Sequence, residues 1–318
     1  MAESAGFTKL VVVTRKTMLE ELVERHGTRG QARFLAASRG ESFDDIEAAH
    51  ARYEHSVASL KLAIPAGIRT QWIDRGFLPN FLFGPHDLVV TLGADGLVVN
   101  VAKYLATQPV LAVNPDPARI DGVLVPVRID AAAPALAAAL AGGVPARRIT
   151  MARARLDDGQ SIDAVNDLFI GIQSHASARY RIEYRRNVEN QSSSGVIVST
   201  GAGSTGWYRS VLTSAAGVAT AHLGKKAVGN LADRYAFDAT ARELRFSVRE
   251  PFTSLSSMGT IICGAITGSE TLDIVSQMPT GGVIFSDGME QDFVKFEAGM
   301  RVRIGIADRC LELLWPAA

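Results

Sequence analysis

The stretch Leu88-Val89-Val90-Thr91-Leu92-Gly93-Ala94-Asp95-Gly96 constrains this chain more than any other, because a run of β-formers stops abruptly at two glycines that bracket an acid. It reads as a buried parallel strand that delivers a carboxylate into a tight turn. The glycines are expected to permit positive φ and to let a ligand approach the backbone. Leu97, Val101, Tyr104 and Leu105 then repeat at helical spacing. A strand, a glycine turn and a helix in that order present unsatisfied N–H groups at the positive end of a helix dipole, where an anion sits well. A carboxylate beside an anion is repelled unless it binds a metal or accepts a proton, so Asp95 points to phosphoryl transfer more than to simple phosphate binding. Taken alone, the stretch also reads as an acid closing an ordinary strand-to-helix turn, and a second feature is needed to decide.

A chain of 318 residues with 47% hydrophobic residues has room for two domains with real cores. Lys+Arg 33 against Asp+Glu 33 leaves a formal net charge of +0, so nothing draws the whole molecule to nucleic acid or to an anionic membrane. Any anion binding must be local. The short polar start before Leu10–Val13 and the lack of a long apolar run lead us to expect no signal segment and no membrane span. Cys263 and Cys310 lie far apart without zinc or redox spacing, which suits a reducing compartment and gives no structural metal. The expectation is an unprocessed cytoplasmic protein without nucleic-acid or membrane partners.

In chain order, Leu10–Thr14 reads as a first buried strand, followed by helical patterns over Met18–His26 and Gln31–Ser38. Ser42 and Asp45 resemble a capping box opening a longer helix. Its apolar face is Ile46, Ala49, Tyr53, Val57 and Leu60, and Pro65 stops it. His50 and His55 lie on that helix but, five residues apart, share no face, so a solvated surface is expected rather than a metal site. Strands are expected over Arg69–Ile73, Leu88–Leu92 and Val110–Val113, making β-α-β units. A short helix follows from Pro134 and ends at Gly142-Gly143. Beyond it the pattern turns to short alternating strands: Arg148–Leu156, Ala164–Ile172, Arg181–Tyr184, Glu243–Val248, Thr260–Ile266, Leu272–Val275, Val283–Phe285, Val302–Ile306 and Leu311–Leu314. The fold class expected is therefore an α/β N-terminal domain with a parallel sheet, residues 1–146, plus a C-terminal all-β domain of antiparallel, sandwich-like sheets, residues 147–318.

A second glycine turn, Val196-Ile197-Val198-Ser199-Thr200-Gly201-Ala202-Gly203-Ser204-Thr205-Gly206, precedes a helix starting near Trp207. It matches the spacing of a dinucleotide fingerprint but lacks the βαβ context and the acid about 20 residues on that the fingerprint requires. A hydrolase elbow is no better supported: the only later histidine is His222, with no acid between Ser204 and it. What remains is a turn rich in hydroxyls and backbone donors, suited to ribose and phosphate or to a sharp corner in the sheet. A third feature is Asn166-Asp167 inside the apolar run Ala164–Gly171. Polar side chains there cost free energy unless they are paired with a ligand or with neighbouring backbone.

Taken in order, Gly93-Ala94-Asp95-Gly96, Asn166-Asp167 and Ser199–Trp207 resemble the NAD kinases, with their glycine-Asp loop, Asn-Glu pair and Ser/Thr-Gly loop. The likeness extends over most of the chain. Val113-Asn114-Pro115-Asp116-Pro117, Phe169-Ile170-Gly171 and Ser193-Ser194-Gly195 look most like the mitochondrial branch and its bacterial relatives. The resemblance implies an α/β domain, a β-rich domain and a site in the cleft between them. It implies ATP-dependent phosphorylation of the 2′-hydroxyl of the adenosine ribose of NAD or NADH, with magnesium as the divalent metal, in a homodimer or homotetramer. Asp95 matches the acid that orients or deprotonates the hydroxyl. Gly93, Gly96 and Asn114 fall to nucleotide and phosphate binding, and Asn166, Asp167, Ser194, Thr205 and Trp207 to NAD binding. No residue is assigned to metal. The chain departs from the family at Ala94, Leu97, Asp167 and Ser194, where a glycine, a Thr or Ser, a Glu and often an Asp are usual. Alternatives of another class are a kinase of the same superfamily acting on a lipid or sugar, and a non-catalytic nucleotide-binding protein.

Overall fold

The computed structural model describes residues 6–316. The chain forms two compact units: one runs through Arg147 and takes back the chain from Glu312, and the other is Arg148–Leu311. No helix among the described residues is long and apolar enough to cross a membrane.

The first unit is built on parallel strands. β1 (Lys9–Thr14) pairs with β2 (Arg69–Asp74) on one side and β3 (Asp87–Leu92) on the other, and β3 pairs with β4 (Val110–Asn114), which carries the short β5 (Val127–Arg128). β1, β3 and β4 read as continuous Val and Leu runs because both faces are covered, and every residue of β3 and β4 is buried; the edge strand β2 is polar and exposed at residues 69–71. Helices α1 (Met18–His26) and α2 (Arg29–Ser38) pack on α3 (Phe43–Ala63) in a cluster of their own, α4 (Asp95–Ala102) follows β3, and α3 and α5 (Ala132–Leu140) pack on the sheet. Tyr53 and Leu60 of α3 and Ala132, Ala135, Leu136 and Ala139 of α5 pack on Leu10, Val12, Leu88, Val90 and Leu111. Chain order runs outward from β1 in both directions, so the ends of β1 and β3 flank the switch point where open α/β sheets bind ligands. Thr17 caps α1 with a full capping box, while Ser42 caps α3 by accepting the Asp45 N–H at 3.2 Å.

The second unit is antiparallel. β6 (Ala146–Leu156) pairs with β7 (Ser161–Ala164), and β9 (Ala178–Tyr184) lies between β10 (Asn187–Ser193) and β14 (Leu272–Ser276). β14 in turn pairs with β17 (Arg301–Leu314). A second sheet runs β13 (Cys263–Thr267), β12 (Glu243–Val248), β11 (Val196–Ser199), β8 (Asp167–Ile172), β15 (Gly282–Ser286), β16 (Met289–Lys295). Tyr180, Ile182, Ile274 and Ile304 of the first sheet meet Leu168, Ile170, Val198, Phe246 and Ile284 of the second in one core. The strand period of two turns Phe169, Ile197 and Val283 to the opposite face, where α6 (Trp207–Leu223) covers them with Trp207 and Val211. The short α7 (Lys225–Val228) follows α6.

Three local expectations need correction. Ala164–Ile172 is not one strand: β7 ends at Ala164 and β8 begins at Asp167. The break occurs where a side chain replaces the ladder, since the Asp287 carboxylate accepts the N–H groups of Val165, Asn166 and Asp167 at 3.2, 2.7 and 3.3 Å. Val302–Ile306 and Leu311–Leu314 are the two ends of the single strand β17, whose middle keeps the strand conformation despite Asp308 and Arg309. Helix α4 stops at Ala102, before the expected Leu105.

Candidate functional site

In the first unit, β3 runs into α4 through Gly93 and Ala94, and Asp95 is the first helical residue. Neither Gly93 nor Gly96 has positive φ, contrary to expectation. Their glycines answer to space instead. A Cβ on Gly93 would sit 2.9 Å from Leu97 Cδ2, so the buried Leu97 packs directly onto the loop. A Cβ on Gly96 would meet nothing within 4 Å, which leaves open space over the first turn of α4. The half-buried Asp95 is oriented by two amides: Oδ1 accepts the Leu124 N–H at 2.9 Å and Oδ2 the Val123 N–H at 3.0 Å. Gly122 permits this grip, because a Cβ there would fall 1.8 Å from Val125 Cγ2 and 3.3 Å from Asp95 Oδ1. Asn114 stands one strand over, but its amide is engaged locally. Nδ2 donates to Ile120 O at 2.9 Å and Oδ1 accepts the Asp116 N–H at 3.0 Å, fixing the turn after β4.

In the second unit the structure brings Asn166, Asp167 and the Ser/Thr-Gly turn together. Thr200 N donates to Asn166 O at 2.9 Å, Thr200 Oγ1 donates to Val165 O, and a Cβ on Gly203 would lie 2.1 Å from Asn166 O. The two loops therefore touch backbone to backbone, which only glycine at 203 allows. The Asn166 amide and the Asp167 carboxyl make no hydrogen bond among the described residues, although Asp167 is 7% exposed. Burial raises the Asp167 carboxyl to about 7, with the nearby Asp287 carboxylate adding to the shift. Thr205 and Ser194 are exposed. Trp207 stacks on Phe169 at 5.5 Å and 12°, with the Arg249 guanidinium 5.3 Å from its ring centre. Trp207 is thus tied to β8, the strand that Asp167 opens.

Sequence reasoning missed Asp287. It sits at φ 57 between β15 and β16, with Gly288 at φ 69 behind it, and its own N–H donates to Asp167 O at 2.9 Å. The Asp287-Gly288 dipeptide after an apolar run was the available signal, since that pair marks a hairpin turn. What it could not reveal is that the carboxylate reaches another strand.

No protein-family profile matches the chain, and no curated protein sequence does either. Solved structures do match. The chain is similar to yeast NADH kinase complexed with NADH, with a TM-score of 0.61 and 14% identity over 100% of this chain and 88% of that one. It is also similar to an NAD kinase from Archaeoglobus fulgidus in complex with ATP, with a TM-score of 0.56 and 12% identity over 96% and 93%. The fold is that of the NAD(H) kinases. On this NAD(H) kinase fold the sequence motifs fall at strand ends and turns: Asp95 after β3, Asp167 at the head of β8, and Gly201–Gly206 between β11 and α6.

Proposed function

We propose that the chain is an ATP-dependent kinase that phosphorylates the 2′-hydroxyl of the adenosine ribose of NAD or NADH. The observation that carries this reading is the Asn166 amide and the buried Asp167 carboxyl standing without protein partners beside a hydroxyl-rich glycine turn. An amide both donates and accepts and an ionised carboxylate accepts, so the hydroxyls of a bound dinucleotide are fitting partners for both. Asp95 serves as the acid that orients the acceptor hydroxyl and takes its proton. Its two amide bonds aim the carboxylate and leave each oxygen a lone pair. The open space over Gly96 admits phosphate to the first N–H groups of α4. Magnesium bound with the triphosphate would neutralise charge between the phosphates, and Asp95 offers the hard oxygen such an ion accepts. Thr205, Ser194 and Trp207 line the dinucleotide, with Trp207 held flat by Phe169.

Purified protein given ATP, magnesium and NAD should form NADP, detected by coupling to an NADP-specific dehydrogenase. Asp95→Asn should lower turnover by at least about two orders of magnitude while NAD still binds, the scale of a lost general base. Parallel reactions with NADH, a sugar and a diacylglycerol test the other acceptors. Phosphate transfer to a sugar or lipid but to neither dinucleotide would overturn the assignment.

A further inference from the structure

Helices α1 and α3 pack against each other in the first unit, through Leu19 and Leu22 on one side and Ile46 on the other. Close to that contact, three side chains from two helices converge. Glu20 is in the first turn of α1, and His50 and Glu54 are four residues apart on α3, so the latter two share a face. One donor atom from each of the three lies within 4.8 Å of the others. We propose that Glu20, His50 and Glu54 bind a divalent transition-metal ion of borderline softness, zinc above all.

The hydrogen bonds around Thr17 prepare the imidazole for this role. Thr17 Oγ1 lies 2.9 Å from Glu20 Oε2 and 2.9 Å from His50 Nδ1, and it also accepts the Glu20 N–H at 3.3 Å. A hydroxyl has one proton, and an ionised carboxylate can only accept, so the proton on Oγ1 goes to Glu20. The proton in the other contact then belongs to the ring: Nδ1–H donates to Thr17, and the lone pair rests on Nε2. That is how the partner of a metal-binding histidine selects its tautomer. Thr17 is itself the N-cap of α1, so the group that orients His50 is fixed by the helix start.

Arg15, Lys16 and Lys61 line the same cavity as Glu20 and Glu54, and Lys61 lies over the Trp72 ring at 5.3 Å. Glu54 has no hydrogen-bond or ion-pair partner among the described residues, and the nearby Lys16 ammonium is paired with Glu24 at 2.6 Å. Ligands of a tetrahedral zinc at ~2.1 Å stand about 3.4 Å apart, so the donors need to close in slightly. Glu54 is exposed and unpartnered and can swing inward without backbone movement, while Glu20 keeps Oε2 on Thr17 and offers Oε1. Cavities of ≈ 520 Å³ and ≈ 460 Å³ flank the cluster, the first reaching Glu20 and Glu54 and the second Glu20 and His50. Three protein donors with solvent access leave coordination positions for water or an outside ligand, the form of an exchangeable rather than a closed structural site. One imidazole with two carboxylates favours zinc, nickel or cobalt over magnesium, which takes oxygen ligands alone.

The test uses the full chain stripped of metal, titrated with zinc by calorimetry and with cobalt by visible absorption. The expected result is one saturable equivalent, with cobalt d–d bands that zinc abolishes and magnesium does not. His50→Ala and Glu54→Gln should each weaken binding by at least about tenfold, since even outer partners of a ligand matter on that scale. His55→Ala, off the shared face, should bind as the wild type does. Glu54 is exposed and unpartnered, so Glu54→Gln keeps the fold and isolates the ligand's loss. Absence of saturable zinc binding by the wild type would overturn the proposal, as would undiminished binding in Glu54→Gln. The kinase assignment is read from NADP formation, so either can fail without the other.

Discussion

Burial raises the Asp167 carboxyl to about 7, and the neighbouring Asp287 carboxylate adds to that, so near neutral pH this group is divided between acid and carboxylate. A ribose hydroxyl that donates to Asp167 binds the ionised form. Dinucleotide affinity should therefore rise as pH rises through about 7, with proton release on binding below that point. Calorimetry in two buffers of different ionisation enthalpy measures the protons released, and Asp167→Asn should release none. The same shift has a sign in stability. The folded pKa lies above the unfolded value of about 3.9, so the contribution is fully present below that pH. It is lost as pH rises through about 7. Urea unfolding of the wild type should show lower stability at about pH 8 than at about pH 5 from this group, a difference that Asp167→Asn removes. An unchanged difference in the variant would assign the pH dependence elsewhere.

The glycine turns do different things at their two locations, and two substitutions separate them. At Gly203 a methyl would meet backbone, Asn166 O at 2.1 Å, and neither loop can retreat without breaking the Thr200 N–H bond to the same carbonyl. Gly203→Ala should cost about 1–3 kcal/mol, the scale of overpacking, and should weaken dinucleotide binding because Asn166 and Asp167 move with the carbonyl. At Gly96 a methyl meets nothing within 4 Å, and the residue already lies inside α4. Gly96→Ala should raise the melting temperature through helix propensity worth up to about 1 kcal/mol, while raising KM for ATP because the methyl occupies the phosphate's approach. Thermal unfolding and steady-state kinetics on the two variants check both statements, and a destabilised Gly96→Ala would show that the space is not open.

At the scale of the whole molecule, the chain does not divide at a single point: the segment from Glu312 belongs to the unit built by the N-terminal residues. Leu313 pairs with Val110 of β4, Leu314 is buried with Leu10 and Leu111, and Trp315 N donates to Pro145 O at 2.8 Å. A chain ending at Leu311 should lose roughly 3–6 kcal/mol in the first unit, at about 1.5–3 kcal/mol for each leucine returned to water. Urea unfolding followed by a probe in that unit, such as Trp72 fluorescence, measures the change. A midpoint equal to that of the full chain would mean the returning segment is dispensable.

Local chemistry was legible where a single segment decides it. Continuous Val and Leu runs named the buried parallel strands, Ser42 set a helix start, and alternation along Arg181–Tyr184 turned Ile182 and Tyr184 inward. Asp95 and Asp167 were recognisable because an acid at the edge of an apolar run needs a reason. What the sequence could not determine depends on residues far apart in it. Asp287 splits β7 from β8 across more than a hundred positions, Val123 and Leu124 aim Asp95, and Leu97 rather than positive φ explains Gly93. His50 looked solitary because its spacing was compared only with His55, whereas its neighbours are Glu54 one turn on and Glu20 from another helix. Periodicity reports what a residue's own element demands of it. Which carboxylate meets which amide, and which space stays open, is decided only when separate elements pack.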